Sequence, residues 1–275
     1  MKNSLSSHRF PAATACVALF FACAPSGASP SSCGGVKGNA GRLSYSVRAG
    51  ATGPSQRADR ALAPGVVGAF VVTGSNQPEW RTTAADQGVV RTVFTRFRSS
   101  CVTTTTLADG GTSVSSDNDA GPGACMGQNQ RFESTEEVDL LAVAAGETDL
   151  VSVAPTGEVD RLRVYVAPVE QLALYQSNGD RWFNQGEVPA SNDGSFSVFA
   201  RQANTRIVVT TADIRVTVGD PSAALLLAPR ATEPAAEITV ASGDVVRVRV
   251  LRPGARSPLT IARESVSTAL TLVTQ

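Results

Sequence analysis

VDRLRVYVA, residues 159–167, decides the fold class. Leu162, Val164 and Val166 share one parity, while Arg161, Arg163 and Tyr165 share the other. Successive side chains of a strand point to opposite faces, so this stretch reads as a strand with one dry and one wet side. DVVRVRVL, residues 244–251, has the same grammar: Val246, Val248 and Val250 alternate with Arg247 and Arg249. Both fit a D-x-x-x-V-x-V frame (160–166 and 244–250), as corresponding strands of two modules would. The arginine stripe of the second reads as a wet sheet face or as the flank of an acidic partner.

Outward from these, short apolar or alternating runs recur along the chain. They include RLSYSV (42–47), GAFVVT (68–73), VVRTVFTRF (89–97), CVTTTT (101–106), TRIVVTT (205–211) and STALTLV (267–273). Turn-forming pairs such as Asn178-Gly179, Asp193-Gly194 and Pro253-Gly254 separate many of them. STEEVDLLAVAAG (134–146) carries helix-capping features at Ser134 and Glu137, but its apolar residues fit neither period cleanly, and the balance favours a strand. Small and β-branched residues dominate, as strands and turns prefer. Many short strands at this spacing specify an all-β sandwich architecture. About sixteen strands exceed one Ig-type sandwich. The expectation is therefore two Ig-like β-sandwiches in tandem, 42–168 and 169–275, with the boundary near Pro168.

AVAAGETDLVSVAPTGEVDRLRVYV (142–166) resembles the end of a bacterial Ig-like repeat of the BIG type, with Gly146, Leu150, Val151, Val164 and Val166 at the matching places. LAPGVVGAFVVTG (62–74) resembles the opening of such a repeat. The resemblance covers about residues 61–168, and the long insertion between Cys101 and Cys125 departs from it. It implies a spacer, adhesin or accessory module on an exported bacterial protein.

The N-terminus points to export. Lys2, His8 and Arg9 precede the apolar run AATACVALFFA (12–22), which is too short to span a membrane. LFFAC (19–23) resembles a lipobox ending at Cys23. Ala22 fits, Phe20 and Phe21 do not, and cleavage after Ala28 is the competing reading. Residues 1–23 are thus read as a signal peptide and 24–41 as a flexible linker rich in Pro, Ser and Gly. A lipid on Cys23 is the expected link to a membrane, and the outer membrane or cell surface the expected location. Of the 5 cysteines, Cys101 and Cys125 alone lie in the body. In an oxidising compartment they are expected to pair across a polar surface loop. Closing that loop is worth roughly 3 kcal/mol in the chain-entropy model.

The chain has 24 basic and 24 acidic residues, which argues against nucleic acid as a partner. His8 is the only histidine, so removal of the signal leaves no imidazole for a Ser-His-Asp or Cys-His mechanism. No zinc or nucleotide motif is present, and no cofactor is expected. Asp117, Asn118 and Asp119 offer hard oxygens for calcium, yet an EF-type frame from Asp117 puts Pro122 where Gly is needed and Gln128 where an acid is needed. Carboxylate-only hydrolysis would need two acids. Glu133, Glu136, Glu137 and Asp139 cluster in sequence, as do Asp180 and Glu187, and a solvated face explains both groups. Trp182 is the candidate ligand contact, either an exposed platform for a glycan or a hairpin-end anchor; Trp80 is read as an anchor. The leading reading is a non-enzymatic envelope protein serving adhesion, spacing or assembly. The runner-up is a carbohydrate-binding module around Trp182.

Overall fold

The computed structural model describes residues 35–275, apart from 50–54, 76, 78, 107–111, 119–124, 126–129, 178, 193, 204 and 205. The signal, Cys23, Cys33 and Asp119 lie outside the described residues. Among those described, every regular element is a strand. Three sheets pack in a β-sandwich arrangement around two hydrophobic cores.

The first sheet runs Val36–Lys37, Ser44–Ala49, Val67–Ser75, Gln130–Ala142, Val90–Thr106, Thr112–Asn118, with Ser55–Arg57 against Ser44–Ala49. Its inner face carries Tyr45, Val47, Phe70, Val72, Val138 and Leu140. The opposing wall of that core is Arg81–Ala84, Gly146–Ala154 and Gly157–Val166. These three belong to a second sheet, which continues into the C-terminal half through Ile207–Val209, Ser195–Arg201, Gln171–Gln176 and Arg181–Phe183. There it faces a five-stranded sheet of Glu187–Ala190, Val266–Thr274, Arg256–Arg263, Ile214–Val218 and Glu237–Val240.

The two-residue strand Ala61–Leu62 joins the halves. It pairs in parallel with Tyr165-Val166 on one side and Val208-Val209 on the other. The backbone N–H of Ala167 donates to the Leu62 carbonyl at 2.9 Å, and that of Ala63 to the Val209 carbonyl at 3.0 Å. Alternation then sends Ala61 into the C-terminal core and Leu62 into the N-terminal one. Both side chains are fully buried.

Two sequence expectations change. Residues 89–97 and 101–106 were expected as separate strands, but Val90–Thr106 is one strand of 17 residues. Arg98, Ser99 and Ser100 are polar but contain no Gly or Pro to break the ladder, and a bulge at Val93 absorbs the misfit with Gln130–Ala142. The segment 134–146 is strand to Ala142, as its sequence favoured, and its even-numbered side chains pack into the core. The linker does not reach residue 41: Val36 and Lys37 pair with Tyr45 and Ser44.

Asp160 holds that last segment. Its Oδ1 accepts the backbone N–H of Ala40 at 2.8 Å and of Arg161 at 2.9 Å. Its Oδ2 accepts those of Arg42 and Leu43, both at 2.8 Å. The approach is so close that a Cβ on Gly38 would meet the carboxylate carbon at 2.4 Å. Asp244, at the same place in its own frame, instead caps the turn before it. Its Oδ2 accepts the Ala241 N–H at 2.8 Å, and Gly243 takes φ +94°, which a side chain would strain. Burial raises the Asp244 pKa above the ordinary aspartate value.

Candidate functional site

The strand Gln130–Ala142 divides the acids that cluster in sequence. Glu133, Glu137 and Asp139 share the outward parity; Glu136 points into the core and is fully buried. Glu137 and Asp139 line a depression of about 350 Å³ with Arg48 and Phe94. They stand side by side on one strand, so no substrate fits between them as it would between facing carboxylates. Glu137 lies 3.8 Å from the Arg98 guanidinium. Asp180 accepts the Tyr175 hydroxyl at 2.9 Å, and Glu187 pairs with Arg256. Asp180 and Glu187 are thus each tied to a different neighbour.

Glu136 sits at the end of a buried chain of hydroxyls. Thr82 donates to it twice, from its backbone N–H at 3.1 Å and from its hydroxyl at 2.6 Å. The Ser152 hydroxyl lies 2.8 Å from that of Thr82, and the Tyr45 hydroxyl 3.0 Å from that of Ser152. With the Thr82 proton given to Glu136, the chain is ordered from Tyr45 through Ser152 to Thr82. Burial raises the carboxyl's pKa above its ordinary 4.5, against the pull of the Thr82 donors. The Trp80 indole also favours the ionised form, although its N–H makes no hydrogen bond of normal geometry.

Such a group binds a proton on folding. Its contribution to stability is greatest below its unfolded pKa and falls as pH rises toward the folded value. Glu136→Gln removes that fall. The variant's stability relative to wild type is therefore expected to rise between pH 4 and pH 8. Urea unfolding at the two pH values checks this; an identical pH dependence in both proteins refutes it.

Trp182 lies on Arg181–Phe183, opposite Tyr175 of the neighbouring strand. Its ring centroid is 5.0 Å from that of Tyr175 and 5.3 Å from that of Phe199. The Arg201 guanidinium stands 4.5 Å from the same centroid. Burial lowers the Arg201 pKa, and its Nε has no hydrogen-bond partner. Trp182 remains 38% exposed. It is therefore neither a core residue nor an open platform, since Arg201 takes part of the surface a sugar ring would stack on.

Beyond Phe199 the cluster meets the N-terminal half. Arg60 stands 5.8 Å over the Phe199 ring and donates to Gln56 Oε1 at 2.9 Å, and the Gln56 amide donates to the Ser242 carbonyl. Burial pushes the Arg60 pKa down to about 10. Trp182 is thus the exposed lip of a contact that joins the two halves. The sequence carried no signal for this, because Gln56 and Arg60 are remote in the chain and fall in no recognisable motif.

Cys101 and Cys125 form a disulfide, with Cα atoms 5.6 Å apart. Most of the loop they close belongs to a hairpin in which Ser100–Thr106 pairs with Thr112–Asn118. The calcium candidates cannot be placed as a group: Asp117 and Asn118 end that hairpin, their side chains and Asp119 lying outside the described residues. Among the described residues no three Asp, Glu, Cys or His side chains converge, and no helix is long and apolar enough to cross a membrane.

No family model and no curated protein matches the chain. Solved structures with partial likeness include domains 5–6 of the S-layer protein SbsC, 16% identical, covering 79% of this chain and 94% of that one at a TM-score of 0.25. The C-terminal domain of the antigen I/II-family protein AspA of Streptococcus pyogenes is 8% identical, with coverages of 84% and 99% and a TM-score of 0.29. InvD of Yersinia pseudotuberculosis is 10% identical, with coverages of 84% and 58% and a TM-score of 0.25. Nothing about function follows from scores of this size.

Proposed function

We propose that this chain is a non-enzymatic protein of the bacterial envelope, exported, held to a membrane by a lipid on Cys23, and serving as a stiff spacer or presenting module for adhesion or assembly. The observation that carries the reading is the strand Ala61–Leu62, paired on both sides and buried in both cores. A junction of that kind resists hinging, as a spacer requires. The Cys101–Cys125 disulfide supports an oxidising compartment. The buried acids support a structural role: Asp160 and Glu136 are bonded to groups that hold segments together. The division into sandwiches at 42–168 and 169–275 belongs to this proposal, as does its Ig-like character.

Cell fractionation tests the anchor. Wild-type protein is expected in the membrane pellet and Cys23→Ala in the soluble exported fraction; a variant that still pellets like wild type contradicts the lipid. A glycan contact at Trp182 is the second reading, supported by its exposure beside Arg201. Quenching of tryptophan fluorescence by a saccharide panel, lost in Trp182→Ala, is its test.

A further inference from the structure

Arg247 and Arg249 are the outward pair of the strand Val245–Val250. In register, Arg247 lies opposite Leu227 and Ser195, and Arg249 opposite Leu225. With Asn192, Leu227, Thr232, Pro234 and Val248 they line a groove of about 370 Å³. The sister strand treats its outward arginines differently. Arg161 pairs with Glu158 at 2.6 Å and with Asp149 at 3.4 Å, and Arg163 with Asp149 at 3.0 Å and Glu147 at 3.3 Å. Arg247 and Arg249 make no ion pair or hydrogen bond with any described residue, and no acid is among the groove's described lining.

The remaining polar lining points the same way. The Asn192 Oδ1 already accepts the Val250 N–H at 3.0 Å, which leaves its NH₂ as a donor. Thr232 supplies a hydroxyl. The groove therefore offers two guanidinium forks and neutral donors over a floor of Leu227 and Pro234. Two outward residues of one strand are about 7 Å apart at Cα, and side chains as long as arginine can converge on one tetrahedral anion from there.

We propose that this groove binds a phosphoryl group, as the free anion or as a phosphate monoester with a sugar-sized body on the apolar floor. Two guanidinium groups without a partner among the described residues, in a groove whose described lining holds no carboxylate, match a dianion better than a single carboxylate, and the fork geometry matches phosphate oxygens.

The test is calorimetric titration of the full chain with glucose 1-phosphate and with inorganic phosphate, against glucose and chloride at equal ionic strength. Saturable binding is expected for both phosphates and for neither control. Arg247→Ala/Arg249→Ala should weaken it at least tenfold, with the melting temperature confirming an intact fold. Arg247→Lys/Arg249→Lys should weaken it too, because lysine keeps the charge but lacks the fork. Three results overturn the proposal: binding that does not saturate, equal affinity in the alanine variant, or binding to phosphatidylglycerol vesicles without binding to the monoester. The last would make the face a diffuse attraction to a lipid surface.

Discussion

Asp160→Ala is expected to lower the unfolding free energy by about 3–4 kcal/mol, the largest loss for any single polar side chain of the protein. The carboxylate accepts four backbone N–H groups, those of Ala40, Arg42, Leu43 and Arg161, all within 2.9 Å. Alanine leaves four donors without an acceptor, and the Leu43 bond is buried. A buried donor without a partner costs about 1–3 kcal/mol, and water entering the cavity recovers part of the sum for the outer ones. Asp160→Asn should fall between, since its NH₂ group confronts N–H donors where an oxygen stood. The loss should also be local at first, with amides of residues 38–45 exchanging early in hydrogen exchange. A loss below 1 kcal/mol, or unchanged protection there, would show that the N-terminal segment is held by something else.

Leu62→Ala carries the second large effect, about 3–5 kcal/mol, for removing a fully buried leucine from between sheets that cannot collapse onto the gap. Its form is more telling than its size. The Leu62 carbonyl accepts the Ala167 N–H, and its strand pairs with Val208-Val209 of the C-terminal half. If the two cores share that strand as one structural unit, denaturant unfolds the variant in a single transition, at lower midpoint and with unchanged slope. Two transitions, with the C-terminal half at its wild-type midpoint, would mean that the halves fold independently.

Much of this fold was legible in the sequence, and parity explains both the successes and the omissions. The alternation that placed Leu162, Val164 and Val166 inside also reaches Asp160, and that of Val246, Val248 and Val250 reaches Asp244. Each acid stands at an inward position just before its strand's alternating apolar run. An acid on the dry parity signals a bound loop, because a buried carboxylate needs donors and loops have unpaired N–H groups to give. Glu136 shares parity with Val138, Leu140 and Ala142, and its donors come from Thr82 of a facing strand. Counting Glu136 with Glu133, Glu137 and Asp139 as a solvated face overlooked its phase.

What no local rule revealed was the non-local pairing. Ala61–Leu62 is too short to show any period, and both its partners, Tyr165-Val166 and Val208-Val209, lie over a hundred residues away. Trp182 was legible as a special residue but not as the lip of a contact between halves, since Arg201 reaches it, and Arg60 its neighbour Phe199, through tertiary packing alone. The Cys101–Cys125 pairing was the simplest inference because only two body cysteines exist to be joined.

The stiffness of the junction is the claim on which the proposed role rests, and a distance distribution measures it most directly. Nitroxides placed on cysteines substituted for Arg96, on the first sheet, and Thr260, on the five-stranded sheet, bracket both cores; Cys33→Ser removes the stray thiol. Double electron–electron resonance on this protein is expected to give one narrow distance peak, little wider than the linkers themselves allow, and unchanged by a tenfold rise in salt. A broad or two-peaked distribution would contradict the account, for it would mean that Ala61–Leu62 is a hinge and not a shared strand.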